Sequence, residues 1–511
     1  KVDHFEMANA VVISDGKYVP EKSVAAAVLA GTVTDTTVDG LKVDSQADNF
    51  GGVYVDGNSV VTINDANMIL NGNGGNDFVG HGAGITAAGA SHVTVNRAKI
   101  SSVGSIRVTV VGREEATLEV NDSELFVKDG TKPNNVSGMT KVPWMLGLRG
   151  NCRATNLADY ADALYEDCTI TSEGWGVMST DGVRRCRLTL KNCDVAVTGP
   201  SGYGAFSIGD CIDTFEDCRI DVPDYALIMA NETASGTFKN TKVDAGRFAV
   251  MCFRNEGGKL VITDGSVMNT DETTVVVKGC APIIEADNCV LSPGNGIILQ
   301  VMNSDDPGNP AGYYIDPKED DVPDPEHDNK TARETYDVIA TFKDMTVTGD
   351  FYNGSTGKKG DTGPKMVMAP PPGAGPEGPG GPGGPGGPGG PGGGPGSKGN
   401  GYDGVRNMAL TFDNAAVTGI ISASKALHRV EKVFKDNCEE LGEVVNTAQP
   451  VVNNGVIVAL KNGAVWTVAG TSYLSSLTID ETSKVIGTLL VDGKETEPVP
   501  GTYTGALTLT L

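Results

Sequence analysis

Apolar and polar positions along this chain recur together about every 25 residues, as apolar, polar, Asp or Asn, small, variable, then Val or Ile. The clearest copies are Tyr165-Glu166-Asp167-Cys168-Thr169-Ile170, Leu190-Lys191-Asn192-Cys193-Asp194-Val195, Phe215-Glu216-Asp217-Cys218-Arg219-Ile220 and Phe238-Lys239-Asn240-Thr241-Lys242-Val243. With the Asp/Asn position as phase marker, the register runs Asp65, Arg97, Asp122, Asp167, Asn192, Asp217, Asn240, Asp264, Asp287, Asp344 and Asn414. From Asp167 to Asp287 the spacings are 25, 25, 23, 24 and 23 residues. Residues around each marker are β-branched, aromatic or alternating, as in Val93-Thr94-Val95, and Gly, Asn and Asp stand at the corners. That is strand chemistry separated by turn chemistry.

A unit this short has room for two or three strands and none for a helix, and it buries its apolar face only when a neighbour covers it. Neither the leucine pattern of leucine-rich repeats nor a 3.6-residue stripe accompanies the period. The expected fold class is all-β, a right-handed parallel β-helix solenoid of 23–25 residues per coil. Broken spacings mark two long loop insertions. The expected organisation is coils over 1–302, an acidic Pro-rich insertion over 303–334, a coil over 335–350, a Gly/Pro-rich insertion over 351–401, and C-terminal coils over 402–511. The second insertion carries Pro370-Pro371-Pro372 and a Gly-Gly-Pro repeat from Pro379 to Pro395, a composition that favours polyproline II over helix or central strand.

Charge narrows the partners. Lys plus Arg number 40 against 65 Asp plus Glu, a net charge of −25, which argues against nucleic acid and against an anionic membrane surface. It also weighs against polyanionic substrates unless a local basic patch overrides the global field. No apolar stretch approaches the ~20 residues a membrane span needs. Opening at Lys1 without Met or a signal-like apolar run suits a processed, secreted or cell-surface protein. The ten cysteines invite a disulfide reading. However, Cys168, Cys193 and Cys218 share one phase of successive repeats, and side chains in phase on parallel strands point the same way, so free ladder thiols are expected. No CxxC pair or Cys/His cluster suggests zinc. Acidic residues Asp305-Asp306, Glu319-Asp320-Asp321 and Asp324 offer oxygen ligands for Ca²⁺, although EF-hand spacing is absent.

One strand per repeat aligns by its corners, beginning at Trp175, Tyr203, Tyr225, Phe248 and Thr274. Strict alternation then puts Met178, Phe206, Ile228, Met251 and Val277 inside. The outward columns become Trp175, Tyr203, Tyr225 and Phe248; Val177, Ala205, Leu227, Val250 and Val276; and Ser179, Ser207, Met229, Cys252 and Lys278. A strip this apolar is expected to be covered, by the chain's own insertions, by a second subunit or by a ligand suited to aromatic stacking. The candidate substrate-binding residues are Arg149, Trp175, Tyr203, Tyr225 and Phe248. At its end stand Asp181, Asp210, Glu232, Arg254 and Lys278, the candidate catalytic set. Carboxylates on neighbouring rungs reach the separations used in glycosidases, and an Arg or Lys among them could serve as the base of an elimination.

The segment Asn453-Asn454-Gly455-Val456-Ile457-Val458-Ala459-Leu460-Lys461-Asn462-Gly463-Ala464-Val465-Trp466, continuing to Ile479, resembles C-terminal coils of secreted bacterial adhesin-like β-helix proteins and autotransporter passengers. The earlier Asp/Asn-small-x-Val repeats resemble right-handed β-helices more broadly, including pectate-lyase-like proteins. That resemblance implies a fold that hosts lyases, hydrolases and adhesins alike. The calcium-Asp and catalytic-Arg signatures of pectate lyases and the paired-Asp motifs of polygalacturonases are not found. Two functions are expected: a carbohydrate-active protein that cleaves an extended glycan by acid/base chemistry, or a non-catalytic cell-surface adhesin or structural protein.

Overall fold

The computed structural model describes residues 8–131, 142–181, 185–305, 337–355, 406–433, 435–451 and 455–511. The described chain is all-β, with long parallel sheets in which each repeat adds one strand to each of three columns. The first column is an uninterrupted sheet whose strands, the two terminal ones apart, pair in parallel with their counterparts one repeat away, as Tyr203–Ile208, Tyr225–Ala230 and Phe248–Phe253 do. The second column and the third as far as Val290–Pro293 join into one sheet because the long strand Thr37–Ser45 pairs with Val60–Asn64 along its first half and with Asn67–Asn71 along its second; the rest of the third column, from Thr346–Thr348 to Lys484–Ile486, is a separate four-stranded sheet. No helix among the described residues is long and apolar enough to cross a membrane.

The phase marker has a conformational origin. Asp65, Arg97, Asp122, Asp167, Asn192, Asp217, Asn240, Asp264, Asp344 and Asn414 all sit at positive φ between 43° and 56°, the left-handed region that Asn and Asp tolerate best after Gly. Each turns the chain sharply from the second column to the third. Its side chain then bonds along the stack: Asn240 Nδ2 donates to Asp217 Oδ1 at 2.6 Å, and Asn414 to Asp344 at 2.7 Å. Even Arg97 conforms, gripping Asp65 with two nitrogens at 2.7 and 2.9 Å. The next, small residue also has a task. Ser123, Cys168, Cys193, Cys218 and Thr241 each donate to the carbonyl two residues earlier, closing the corner. Asp287 is a correction: the left-handed corner is Asn288, because the strand Ala281–Asp287 runs one residue further. Replacing Asn192 by Ala is expected to cost roughly 1–2 kcal/mol, the left-handed penalty of an L-residue, whereas Gly is expected to restore most of it. An Ala variant with an unchanged denaturation midpoint would refute this account of the motif.

One main core runs the length of the stack, from Ala10 to Leu509. Phe215 and Phe238 stack inside it at 5.0 Å, and Phe342 and Phe412 at 5.5 Å. Trp466 is fully buried with its indole nitrogen on Gly419 O at 3.1 Å. All ten cysteines are buried and none forms a disulfide, including Cys168, Cys193 and Cys218, whose shared phase predicts it. The strand Asp350–Asn353 belongs to the first column, with Phe351 fully buried, so the sheet continues past the expected start of the second insertion. The rest of that insertion, most of the acidic one, and Asp306, Glu319, Asp320, Asp321 and Asp324 lie outside the described residues.

Antiparallel strands close the ends of the stack. Lys17–Tyr18 and Val28–Val33 do so at one end. At the other, Val444–Ala448 folds back on Ile421–His428, and Gly501–Thr510 on Ser472–Ile479.

Candidate functional site

Alternation along the first column breaks at one place, and that break rearranges the aromatic strip. Ala226 and Leu227 both enter the main core, as do Ala249 and Val250, so the strand turns over between Tyr225 and Ile228. Strict alternation therefore mis-assigns the next positions. Phe206, Ile228 and Met251 lie outside the main core, in a second cluster with Trp175, Tyr203, Tyr225, Phe248 and Val276. Val177, Ala205, Leu227, Val250, Met229 and Cys252 lie inside it, together with Met178 and Val277. The first strand is also shifted by one: Gly176 pairs with Tyr203 and Met178 with Ala205, so Met178 does not stack on Phe206.

The strip itself is continuous. Trp175 meets Tyr203 edge-on at 5.3 Å, Tyr203 meets Phe206 at 5.6 Å, and Tyr225 stacks on Phe248 at 5.6 Å. It is also roofed: Trp175 is 8% exposed, and Tyr203, Tyr225 and Phe248 are 0% exposed. The roof consists of two stretches of the same chain. Leu146 and Leu148 join the apolar cluster directly, and the stretch Lys435–Glu440 with the residues after it crosses from far along the sequence.

Arg247 fastens this roof. Its guanidinium lies 4.9 Å from the Tyr225 ring centroid and 5.0 Å from that of Phe248. It donates to Tyr225 Oη at 2.7 Å, Gly147 O at 3.2 Å, Glu443 Oε1 at 3.1 Å and Leu441 O. Tyr225 Oη in turn donates to Leu146 O at 2.8 Å. Burial pushes the Glu443 carboxyl up to about 7 despite the pull of Arg247. Arg149 faces this roof, donating to Asp436 O and Glu439 Oε2.

The chargeable residues at the strip's end separate into distinct pairs. Asp181 accepts from the fully buried Arg153 at 2.8 Å, while Arg153 Nε donates to Asp77 Oδ2 at 2.7 Å. Arg153 also lies 4.9 Å from the Phe78 ring and 5.7 Å from that of Trp175. Burial raises the Asp181 carboxyl above its ordinary range, with Arg153 opposing. Asp210 accepts from the Arg185 backbone N–H at 2.6 Å and lies 3.5 Å from its Nε. Lys278 lies 2.5 Å from Asp305 Oδ1, and both side chains are buried. Asp305 Oδ2 accepts from Gly442 N at 2.6 Å and lies 2.9 Å from His428 Nε2. Burial acts to raise the Asp305 carboxyl, but Lys278 and His428 outweigh it and hold it well below the usual carboxylate range. Glu232 and Arg254 occupy left-handed corners at φ 35° and 52°.

Sequence reasoning thus finds the strip and misses its fasteners, Arg153, Arg247, Asp305, His428 and Glu443. One signal was present: Asp224 and Arg247 stand immediately before Tyr225 and Phe248, at the head of otherwise apolar strands. No group of three or more His, Cys, Asp or Glu side chains able to hold a metal ion occurs among the described residues. Comparison with protein-family models, curated proteins and solved structures returns no match.

Proposed function

We propose that this chain is a right-handed parallel β-helix of the secreted or bacterial cell-surface kind, serving as a non-catalytic adhesin or structural protein. The observation that carries this reading is the roof. A glycan lying along Trp175, Tyr203, Tyr225 and Phe248 would have to displace side chains already packed and hydrogen-bonded by the chain itself. Support also comes from the outer face of the second column, where Glu166, Lys191, Glu216 and Lys239 stand in register on successive rungs. Alternating signs at rung spacing neutralise one another, as suits a solvated wall.

The carbohydrate-active reading keeps one specific support. Asp181, with a raised pKa and a side chain 17% exposed, adjoins Arg153 and the edge of the strip at Trp175. A general acid is tuned in this direction. The full chain should therefore be offered a panel of polysaccharides, with reducing-end release and unsaturated-product absorbance both recorded, and its binding to immobilised glycans and cell surfaces measured alongside. The expected result is binding without turnover, and an unchanged binding profile in Asp181→Asn. Turnover that Asp181→Asn abolishes would replace the adhesin reading with the enzymatic one.

A further inference from the structure

Among the buried charged groups, the Lys278–Asp305 pair stands apart in its geometry. Lys278 ends the strand Val275–Lys278, opposite Phe253 on one neighbouring strand and Met302 on the other, both buried. Met251 Sδ lies 3.9 Å from its Nζ. Asp305 follows the next strand of the same column, Ile297–Met302. Nζ is 2.5 Å from Asp305 Oδ1, and both side chains are buried. The other oxygen, Oδ2, faces two donors at once, the Gly442 backbone N–H and His428 Nε2, at 2.6 and 2.9 Å.

This is the arrangement that amide formation requires: a nucleophile held against one oxygen of a carboxyl group, and two donors converging on the other. We propose that Lys278 and Asp305 condense spontaneously into an intramolecular isopeptide bond. The step begins when a proton passes from the Lys278 ammonium to Oδ1, giving the neutral amine and acid that condensation needs. Nζ then attacks Cγ. Negative charge develops on Oδ2, where Gly442 N–H and His428 stabilise it. A C–N bond forms, the Cγ–Oδ1 bond breaks, and Oδ1 leaves as water with a second proton from Nζ. Nothing is oxidised or reduced, and no co-reactant is needed. In the product, Oδ2 is the amide carbonyl oxygen, still facing the same two donors. The bond would tie Asp305 to the end of the strand Val275–Lys278.

Intact mass of the reduced, denatured full chain tests this directly. The expected mass is lower than that of the sequence by one water, and proteolysis should yield a branched peptide joining Lys278 to Asp305, with cleavage after Lys278 blocked. Lys278→Met and Asp305→Ala should each restore the full sequence mass. A wild-type chain at full sequence mass would overturn the proposal, whether or not the variants fold. A water loss that maps to another residue, or persists in both variants, would overturn it equally.

Discussion

Replacing Arg247 by Met is expected to destabilise the protein by ~3–5 kcal/mol and to free the roof over the aromatic strip. The substitution keeps an apolar side chain against Tyr225 and Phe248 but removes the guanidinium that donates to Gly147 O, Leu441 O and Glu443. Glu443, 4% exposed at its side chain, and Asp224, 7% exposed, then lose a buried cation at 3.1 and 3.5 Å. Breaking a buried pair from one side costs far more than the pair contributes, because the remaining charge stays desolvated. Hydrogen exchange locates the effect. Amides of residues 436–448 should exchange faster, while those of the strands Arg187–Lys191 and Ile212–Glu216, on another column, should keep their protection. A variant with wild-type exchange over 436–448 would show that apolar packing alone holds the roof.

The second large effect concerns Asp213, which points into the main core from the strand Ile212–Glu216. It is 0% exposed. Thr180 donates to its Oδ1 at 2.9 Å, and no hydrogen bond reaches Oδ2. Burial raises its carboxyl to about 7, against the opposing Thr180 bond. The folded state therefore binds this proton more tightly than the unfolded chain, whose carboxyl titrates near 4. Stability from this group is full below pH ~4, falls as pH rises, and is lost once pH passes about 7. Asp213→Asn, which stands in for the protonated acid, should remove that share of the pH dependence. Relative to wild type it should gain up to about 4 kcal/mol above pH 7 and almost nothing at pH 4. Parallel stability curves for the two proteins between pH 4 and 8 would refute the buried-acid assignment.

Periodicity made the stack legible because the left-handed corner recurs at a nearly fixed spacing and, Arg97 apart, selects Asp or Asn each time. The inside of the second column followed from it, since Leu190, Phe215 and Phe238 obey plain alternation. The first column did not, because Ala226 and Ala249 turn inward next to residues that also turn inward, and no residue type in that stretch announces the change. The charged residues after each strand were visible in sequence but not their partners. Asp181 meets Arg153 28 positions away, and Arg149 meets Glu439 290 positions away. The roof escaped for the same reason: Lys435–Glu440 carries no repeat motif, so period-based reading has no purchase on it.

The antiparallel strands at the two ends decide what a stack like this does in company. A bare terminal rung would offer every unpaired N–H and C=O of a parallel ladder to the next molecule, the template from which fibrils grow. Here the second column meets the reversed strand Gly501–Thr510, and beyond it Thr488–Val491 carries the short, charged Lys494–Thr496. The first two columns therefore end on reversed strands instead of on a further parallel rung.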